Sequence, residues 1–221
     1  MALNLLMLGP PGAGKGTQAE RFARSRGIPK ISTGDILREA VHAGTEIGLR
    51  AKAIMDRGEL VHDEVMIGIV RERLERPDAV PGFVLDGFPR TVAQASALDG
   101  MLAGRDPLIV LDIVVPEAEL VRRLGTRLIC EDCGHNAPPG SVAGGQCMVC
   151  GGKFVQRADD NQSIVIERLK VYHRQSEPLV EYYRVRPTFR SINGAQAPDQ
   201  VAADLVAAID AAGSNGANGV G

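Results

Sequence analysis

The stretch that most constrains the fold is a glycine-rich loop between an apolar run and a helical pattern. The loop reads Gly-Pro-Pro-Gly-Ala-Gly-Lys-Gly-Thr over residues 9–17, directly after the apolar run 3–8. A strand, a glycine loop and a helix in this order form the setting that a phosphate-binding loop requires. Glycines let phosphate oxygens approach the backbone N–H groups, and the helix N-terminus lies behind them. The alternative is a glycine-rich turn that binds no ligand.

Gly9, Gly12 and Gly14 carry no side chain that would block phosphate oxygens from the backbone. Lys15 supplies a mobile positive charge for the outer phosphates. Gly16 stands where many such loops carry Ser or Thr, so no hydroxyl at that position can bind Mg²⁺ directly. We therefore expect a bound Mg²⁺ to be held mainly by phosphates and water.

Short apolar runs between turn signals predict the strands of the core, at residues 3–8, 29–32, 82–86, 108–114 and 188–192. Helical patterns lie between these runs. Alternating strands and helices predict an α/β fold of the P-loop NTPase type, with a parallel sheet and helices on both faces. In such sheets the ligand binds beyond the carboxyl ends of the strands. The length of 221 residues suits one domain with insertions.

The segment from residue 32 to 61 predicts two short helices that lie over the sheet edge. Gly44 and Gly58 mark their ends. Asp35 is expected to cap the first helix, and Arg38 lies one turn further on. Arg38 is either a phosphate ligand or an exposed helix arginine.

The strand 82–86 ends in Asp86, whose carboxylate can order the water shell of Mg²⁺ across from the glycine loop. Gly87 begins a tight turn that presents Arg90 at the strand end. A planar guanidinium there suits bidentate capture of a phosphate. Thr91 and Gln94 match a capping box, which is an alternative to a ligand role for Gln94.

Further arginines follow the strand 108–114. Pro116 is expected at the first position of the next helix. Arg123 and Arg127 are four residues apart and are predicted to share one helix face, where an anion can lie between them. Simple exposure of both side chains to solvent is the alternative.

All cysteines of the chain fall in two C-x₂-C pairs separated by thirteen residues: Cys130, Cys133, Cys147 and Cys150. This spacing predicts a structural zinc site with four thiolate ligands. The metal would supply folding energy to a small lobe that lacks its own core. His135 is expected to be a bystander. Disulfides, a redox pair or another metal are the alternatives.

The overall charge and hydropathy exclude several classes of protein. A net charge of −2 argues against nucleic acid as the main partner. No run approaches the ~18 apolar residues of a membrane span. The chain enters a strand directly, without a signal-peptide pattern, so we expect a cytoplasmic location. The tail 213–221 lacks apolar periodicity and is expected to be disordered.

Taken together, the motifs at residues 9–17, 32–38, 85–91 and 157–161 resemble adenylate kinase of the bacterial long form. The cysteine pairs resemble the lid of its zinc-containing members. The resemblance implies reversible phosphoryl transfer from Mg·ATP to AMP, giving two ADP, by a monomer that needs neither nucleic acid nor membrane. It also implies a division into four parts. These are a core domain (1–31, 62–125 and 161–212), an AMP-binding lobe (32–61), a zinc lid (126–160) and a tail (213–221).

The resemblance assigns roles by position. ATP would be bound by nine residues, the last of them through its backbone: Gly12, Ala13, Gly14, Lys15, Gly16, Thr17, Arg123, Arg127 and Gln196. AMP would be bound by Thr33, Arg38, Glu59, Leu60, Val61, Gly87, Phe88, Pro89, Arg90, Gln94, Arg157 and Arg168. The catalytic charges would be Lys15, Arg90, Arg127, Arg157 and Arg168. No catalytic base is needed, because a nucleoside monophosphate is already an anionic nucleophile.

One segment departs from the family pattern. Many relatives carry an aromatic residue beside the ATP base after the first cysteine pair, whereas residues 134–138 here read Gly-His-Asn-Ala-Pro.

Two other functions remain open. The chain could phosphorylate UMP, CMP or GMP, or it could be a nucleotide-dependent binding module whose zinc ribbon contacts nucleic acid. The ribbon lacks the basic cluster and interleaved aromatics typical of the latter.

Overall fold

The computed structural model describes residues 2–138 and 140–216. In chain order the strands are β1 Leu3–Leu8, β2 Lys30–Ser32, β3 Gly82–Asp86, β4 Leu108–Val114, β5 Leu128–Cys130, β6 Phe154–Gln156 and β7 Phe189–Asn193. Five of them form one parallel sheet in the order β2-β3-β1-β4-β7, and β5 pairs with β6 in a separate antiparallel hairpin. The predicted parallel sheet is therefore confirmed.

The helices are α1 Lys15–Arg26, α2 Thr33–His42, α3 Glu46–Met55, α4 Asp63–Leu74, α5 Val92–Met101, α6 Glu117–Gly125, α7 Gln162–Val171, α8 Pro178–Arg184 and α9 Pro198–Gly216. A π-helical turn, Tyr172–Ser176, joins α7 to α8. Within the described ranges, none of these helices combines the length and apolar character that crossing a membrane requires.

The core lies on both faces of the sheet because successive strand residues point to opposite sides. In β1, Leu5 and Met7 join a cluster formed with α1, α6, α7 and α9. Leu6 and Leu8 join the opposite cluster, formed with α2 to α5 and α8. Both faces are covered, so the central strands are apolar throughout, as a parallel sheet requires.

Two helix starts differ from the sequence prediction. Asp35 is not the cap of α2, because Ser32 has the extended backbone and its Oγ accepts from the Asp35 N–H at 3.3 Å. Pro116 is not the first residue of α6, since its ψ of 141° is extended and the helix begins at Glu117. In both places the helix begins directly after the last residue with an extended backbone. The presence of an aspartate or a proline in the sequence does not by itself locate that residue.

Two helix ends also differ. Helix α6 ends at Gly125, so Arg127 lies beyond it and does not share a helical face with Arg123. Helix α9 continues to Gly216, whereas the sequence predicted disorder from residue 213. A glycine weakens a helix by about 1 kcal/mol relative to alanine, which does not suffice to end one. The rest of the predicted tail, 217–221, lies outside the described residues.

Candidate active site

The glycine loop connects the end of β1 to the start of α1 and packs against α6. Gly12 has φ +85°, and a Cβ there would lie 3.0 Å from Leu124 Cγ and 3.2 Å from the Leu120 carbonyl oxygen. Only glycine fits this backbone conformation without displacing α6. Glycine at this position therefore allows the loop to pack closely against α6.

Lys15 is the first residue of α1 and folds back over the loop. Its Nζ donates to the carbonyl oxygens of Gly9 at 2.6 Å and Pro10 at 2.8 Å. Burial lowers the pKa of Lys15 to about 8; the charge of Asp86 opposes this shift and neighbouring arginines add to it. A cluster of positively charged groups repels itself, so binding of a polyanion there is favourable.

Asp86 faces the first turn of α1. The pairing of β1 with β3 sets Asp86 opposite Met7, at the carboxyl end of the sheet. A Cβ at Gly16 would lie 3.2 Å from Asp86 Oδ2, so glycine leaves room for the carboxylate. Oxygen donors are what Mg²⁺ prefers, and Asp86 fits a contact made through the metal's water shell. Thr17 is exposed beside this turn.

Two aspartates hold three arginines at the edge of the cleft. Arg127 donates to both oxygens of Asp160, at 2.6 and 2.5 Å. Arg168 donates from Nη1 to Asp160 Oδ1 at 2.9 Å and to Asp159 Oδ2 at 3.1 Å. Arg157 Nε lies 3.3 Å from Asp159 Oδ1. The Asp160 side chain is fully buried, so its bonds hold the guanidinium groups of Arg127 and Arg168 firmly, whereas Arg157 has only the longer contact with Asp159.

Arg157 is the least well paired of this group. Its Nε is buried without a hydrogen-bond partner. Burial, followed by the charges of Arg127 and Arg38, lowers the pKa of Arg157 to about 9. A buried cation with unused donors is costly unless an anion joins it.

Arg38 is anchored within the segment between β2 and α3. It pairs with Asp35, which also contacts Lys30 Nζ at 3.1 Å. Burial alone would raise the pKa of Asp35, but the charges of Arg38 and Lys30 lower it to about 2. Asp35 therefore stays ionised and holds Arg38 toward the cleft.

Arg90 differs from the other arginines of the cleft. Its Nε donates to the Gly87 carbonyl oxygen at 2.8 Å. Within residues 2–138 and 140–216, no carboxylate lies within 4.0 Å of its guanidinium, which leaves both terminal nitrogens free of ion pairs. Loss of surrounding water, followed by the charge of Arg168, lowers the pKa of Arg90 to about 10. It remains a cation at neutral pH.

A small cavity of about 70 Å³ lies beside Arg90. It brings together nine of the residues predicted to bind AMP: Thr33, Arg38, Glu59, Leu60, Val61, Gly87, Arg90, Gln94 and Arg168. Thr33 and Gln94 are its buried polar residues, with 1% and 2% exposure. Thr33 Oγ1 donates to the Gly87 carbonyl oxygen at 2.8 Å.

The remaining predicted AMP residues lie elsewhere. Phe88 is buried in the apolar cluster beneath the turn and precedes a cis peptide bond to Pro89. Pro89 and Arg157 line the larger cleft instead of the small cavity.

The larger cleft has a volume of about 2310 Å³ and extends from the glycine loop to the β5–β6 hairpin. It collects the predicted cationic residues Lys15, Arg38, Arg90, Arg123, Arg127, Arg157 and Arg168. Arg123 Nε donates to Glu119 Oε1 at 2.8 Å and its Nη2 to the Gly194 carbonyl oxygen at 3.0 Å. Gln196 also lines the cleft, but its side chain is engaged with Asp204 at 2.7 Å.

Sequence reasoning missed the carboxylates that hold these groups. Asp159 and Asp160 were part of a recognised motif, but no role was assigned to them. Asp63, at the start of α4, accepts from Thr91 Oγ1 and Gln94 Nε2 and was not identified at all. No local signal marks Asp63, because its partners are 28 and 31 residues away.

The cysteine sulfurs converge at the end of the β5–β6 hairpin where the connecting segment joins the two strands. All four lie within 4.8 Å of one another, with Cys130 to Cys150 at 3.3 Å and Cys133 to Cys147 at 3.7 Å. Four sulfurs in tetrahedral contact with Zn²⁺ stand about 3.8 Å apart, given a Zn–S distance of about 2.3 Å. The cluster therefore fits zinc. His135 contributes its backbone carbonyl oxygen to Cys130 N.

Known proteins match this chain over most of its length. A family model described as adenylate kinase matches residues 7–188. An adenylate kinase of Archaeoglobus fulgidus is 53% identical over 199 residues, which cover 87% of this chain and 91% of that protein. One of Geobacillus is 51% identical, covering 92% and 96%, and one of Rhizobium etli is 48% identical, covering 93% and 98%. Since these matches span nearly the full length of both chains at about half identity, the chain belongs to the adenylate kinase family.

Proposed function

We propose how this chain performs the reaction of its family, the reversible transfer of a phosphoryl group from ATP to AMP that yields two ADP. The observation that carries the proposal is the pair of adjoining cavities. The glycine loop with Lys15 lines the larger one, a small base-sized cavity adjoins it, and Arg38, Arg90 and Arg168 line both. Two phosphate-bearing ligands can thus meet at one group of cations.

We propose that AMP binds with its base in the small cavity. Thr33 and Gln94 would contact the adenine, and the backbone from Glu59 to Val61 would form its wall. Arg38 and Arg90 would hold the phosphate. Arg90 suits this role because its terminal nitrogens have no carboxylate partner in the described chain, so binding breaks no ion pair.

The triphosphate would lie on the glycine loop, where backbone N–H groups and the start of α1 form an anion cradle. Lys15 would exchange its bonds to two loop carbonyls for bonds to phosphate oxygens. Asp86 would hold the water shell of Mg²⁺, which neutralises charge on the phosphates when it is bound. Arg123 lies on the same side of the cleft.

Transfer between two polyanions requires that negative charge be neutralised and that donor and acceptor be aligned. Lys15 and the arginines that line the cleft would supply this charge. Arg127, Arg157 and Arg168 would reach the transferred group when the lobes close. We propose that the segments 32–61 and 126–160 act as these lobes over the core. Closure would also exclude water and so prevent ATP hydrolysis.

We further propose that the cysteine cluster binds a structural zinc ion. The hairpin has strands of three residues and a small apolar cluster around Phe154, too little to be stable in water alone. The ion would supply the missing folding energy of this lobe. It would take no part in the chemistry, because four thiolates leave no open coordination position.

We propose a monomer that acts in the cytoplasm and needs neither nucleic acid nor membrane. One chain supplies both the glycine loop and the small cavity, so the proposed ligand sites do not require a second copy. Four free thiols grouped for a metal are typical of a reducing compartment. Gel filtration at working concentration would test the oligomeric state.

The proposed reaction is tested by measuring ADP formation from Mg·ATP with AMP, UMP, CMP and GMP as separate acceptors, beside a reaction without acceptor. We expect strong preference for AMP and negligible hydrolysis alone. Preference for another monophosphate would overturn the assignment of the base contacts to Thr33 and Gln94. Hydrolysis without acceptor preference would overturn the transfer mechanism.

A further inference from the structure

The side chain of Gln94 is constrained from both ends of its amide. Its Oε1 accepts from the Arg90 backbone N–H at 2.8 Å, and its Nε2 donates to Asp63 Oδ1 at 2.7 Å. A carboxamide can be turned end for end with little change in shape, so only hydrogen-bond partners decide which end lies where. Here a donor and an acceptor lie on opposite ends and select the same orientation.

The reversed orientation would lose both bonds. It would set an NH₂ group against the Arg90 N–H and an oxygen against the Asp63 carboxylate. Gln94 is only 2% exposed, so water does not replace these partners freely. The Asp63 carboxylate cannot adapt to a reversed amide, because an ionised carboxylate has no proton to donate.

Asp63 is itself held in position. It begins α4, where a carboxylate is stabilised by the helix N-terminus. Its second oxygen, Oδ2, accepts from Thr91 Oγ1 at 2.8 Å. Both carboxylate oxygens are thus engaged with the start of α5, one with its N-cap residue Thr91 and the other with Gln94 in its first turn.

Counting partners among the described residues, the fixed orientation leaves Gln94 with one unused N–H and one unused lone pair. A 6-aminopurine such as adenine offers an acceptor ring nitrogen beside a donor amino group and matches this pair. A 6-oxopurine offers the reverse pattern, a donor ring nitrogen beside an acceptor oxygen, and matches only the turned amide. We propose that Asp63 is a positioning residue that fixes the Gln94 amide and thereby selects 6-aminopurine over 6-oxopurine monophosphates. This inference rests on the proposed contact between Gln94 and the base.

The test compares kcat/KM for AMP and IMP, which differ at the 6-position, in wild type and Asp63→Leu. Leucine resembles aspartate in shape but accepts no hydrogen bond. We expect the AMP-to-IMP ratio to fall about tenfold, since a bidentate base contact gives about that discrimination or more. KM for ATP should stay within about twofold. If Asp63→Leu does not fold, Asp63→Ala is used, with the same expected direction.

Two matched variants separate orientation from simple structural damage. Asp63→Asn retains an acceptor oxygen for Gln94, and its NH₂ can donate to the Thr91 hydroxyl, so it should keep most of the AMP-to-IMP ratio. Thr91→Val removes the other bond of Asp63 and the cap of α5, which lowers stability. Because Asp63 Oδ1 can still accept from Gln94 Nε2, the ratio should stay near that of wild type.

Gln94→Leu distinguishes failure of this inference from failure of the proposed function. If Gln94→Leu lowers the AMP-to-IMP ratio while Asp63→Leu does not, Gln94 recognises the base without Asp63 and the inference is wrong. If Gln94→Leu leaves the ratio unchanged, the proposed base contact fails and the inference fails with it. If both single variants lower the ratio, the double variant should add nothing further, because both changes act through one amide.

Discussion

The role proposed for Arg90 makes a quantitative prediction for Arg90→Ala. A guanidinium carries five N–H donors, of which the Nε–H is used by the Gly87 carbonyl oxygen. The terminal nitrogens can therefore form two bonds to one phosphate. Hydrogen bonds to charged groups contribute about 1.5–3 kcal/mol each. Loss of two corresponds to about 3–6 kcal/mol, or roughly 10²–10⁴ in kcat/KM for AMP.

The assay follows ADP formation with saturating Mg·ATP and varied AMP. Arg90→Lys keeps the charge but cannot form the bidentate contact, so we expect an intermediate loss of about 10- to 100-fold. Arg184→Ala is the matched control, because Arg184 is exposed on α8 and lies outside both cavities. We expect it to remain within about twofold of wild type. An Arg90→Ala enzyme within threefold of wild type at low AMP would refute the reasoning.

The pKa of Lys15 near 8 means that its charge is lost as the pH rises through that value, so kcat/KM for ATP should fall about tenfold between pH 7 and pH 9. Lys15→Arg, which stays charged, should lack this decline although its absolute rate is lower. Cys130→Ser should reduce bound zinc and lower Tm by about 2–4 °C for each kcal/mol of stability lost, with a smaller loss of activity at moderate temperature. Gly87→Ala should lower kcat/KM for AMP about tenfold or more, because Gly87 has φ +79° and a Cβ there would lie 3.0 Å from Arg90 Nη2.

Each of these predictions has a control and a contrary outcome. For Lys15, a flat profile up to pH 10 in the wild type would contradict the lowered pKa. For the zinc lobe, His135→Ala should retain the metal, and unchanged zinc content and melting of Cys130→Ser would contradict the role of the cysteines. For Gly87, the control is Gly100→Ala in α5, where a Cβ meets no atom within 4 Å, so that this change should be neutral or stabilising.

Much of the fold followed from local sequence. The bounds of β1, β3 and β4 were predicted correctly, because buried parallel strands are continuous apolar runs between turn residues. The starts of β2 and β7 lie one residue later than predicted. Pro29 has no N–H to donate, although its carbonyl oxygen still accepts from Val84 N. Helix boundaries were less accurate, since they depend on backbone angles that neighbouring contacts decide.

In the candidate site, too, some features follow from local sequence and others depend on tertiary contacts. Sequence alone determined the strand, loop and helix around Lys15 and the two cysteine pairs, because their chemistry resides in residues adjacent in the chain. Only the tertiary structure decided the order of the strands and which carboxylate holds which arginine. Asp160 meets Arg127 across 33 residues, and Asp63 meets Gln94 across 31. Such contacts arise where packed elements bring charged groups together out of water, and no spacing along the chain encodes them.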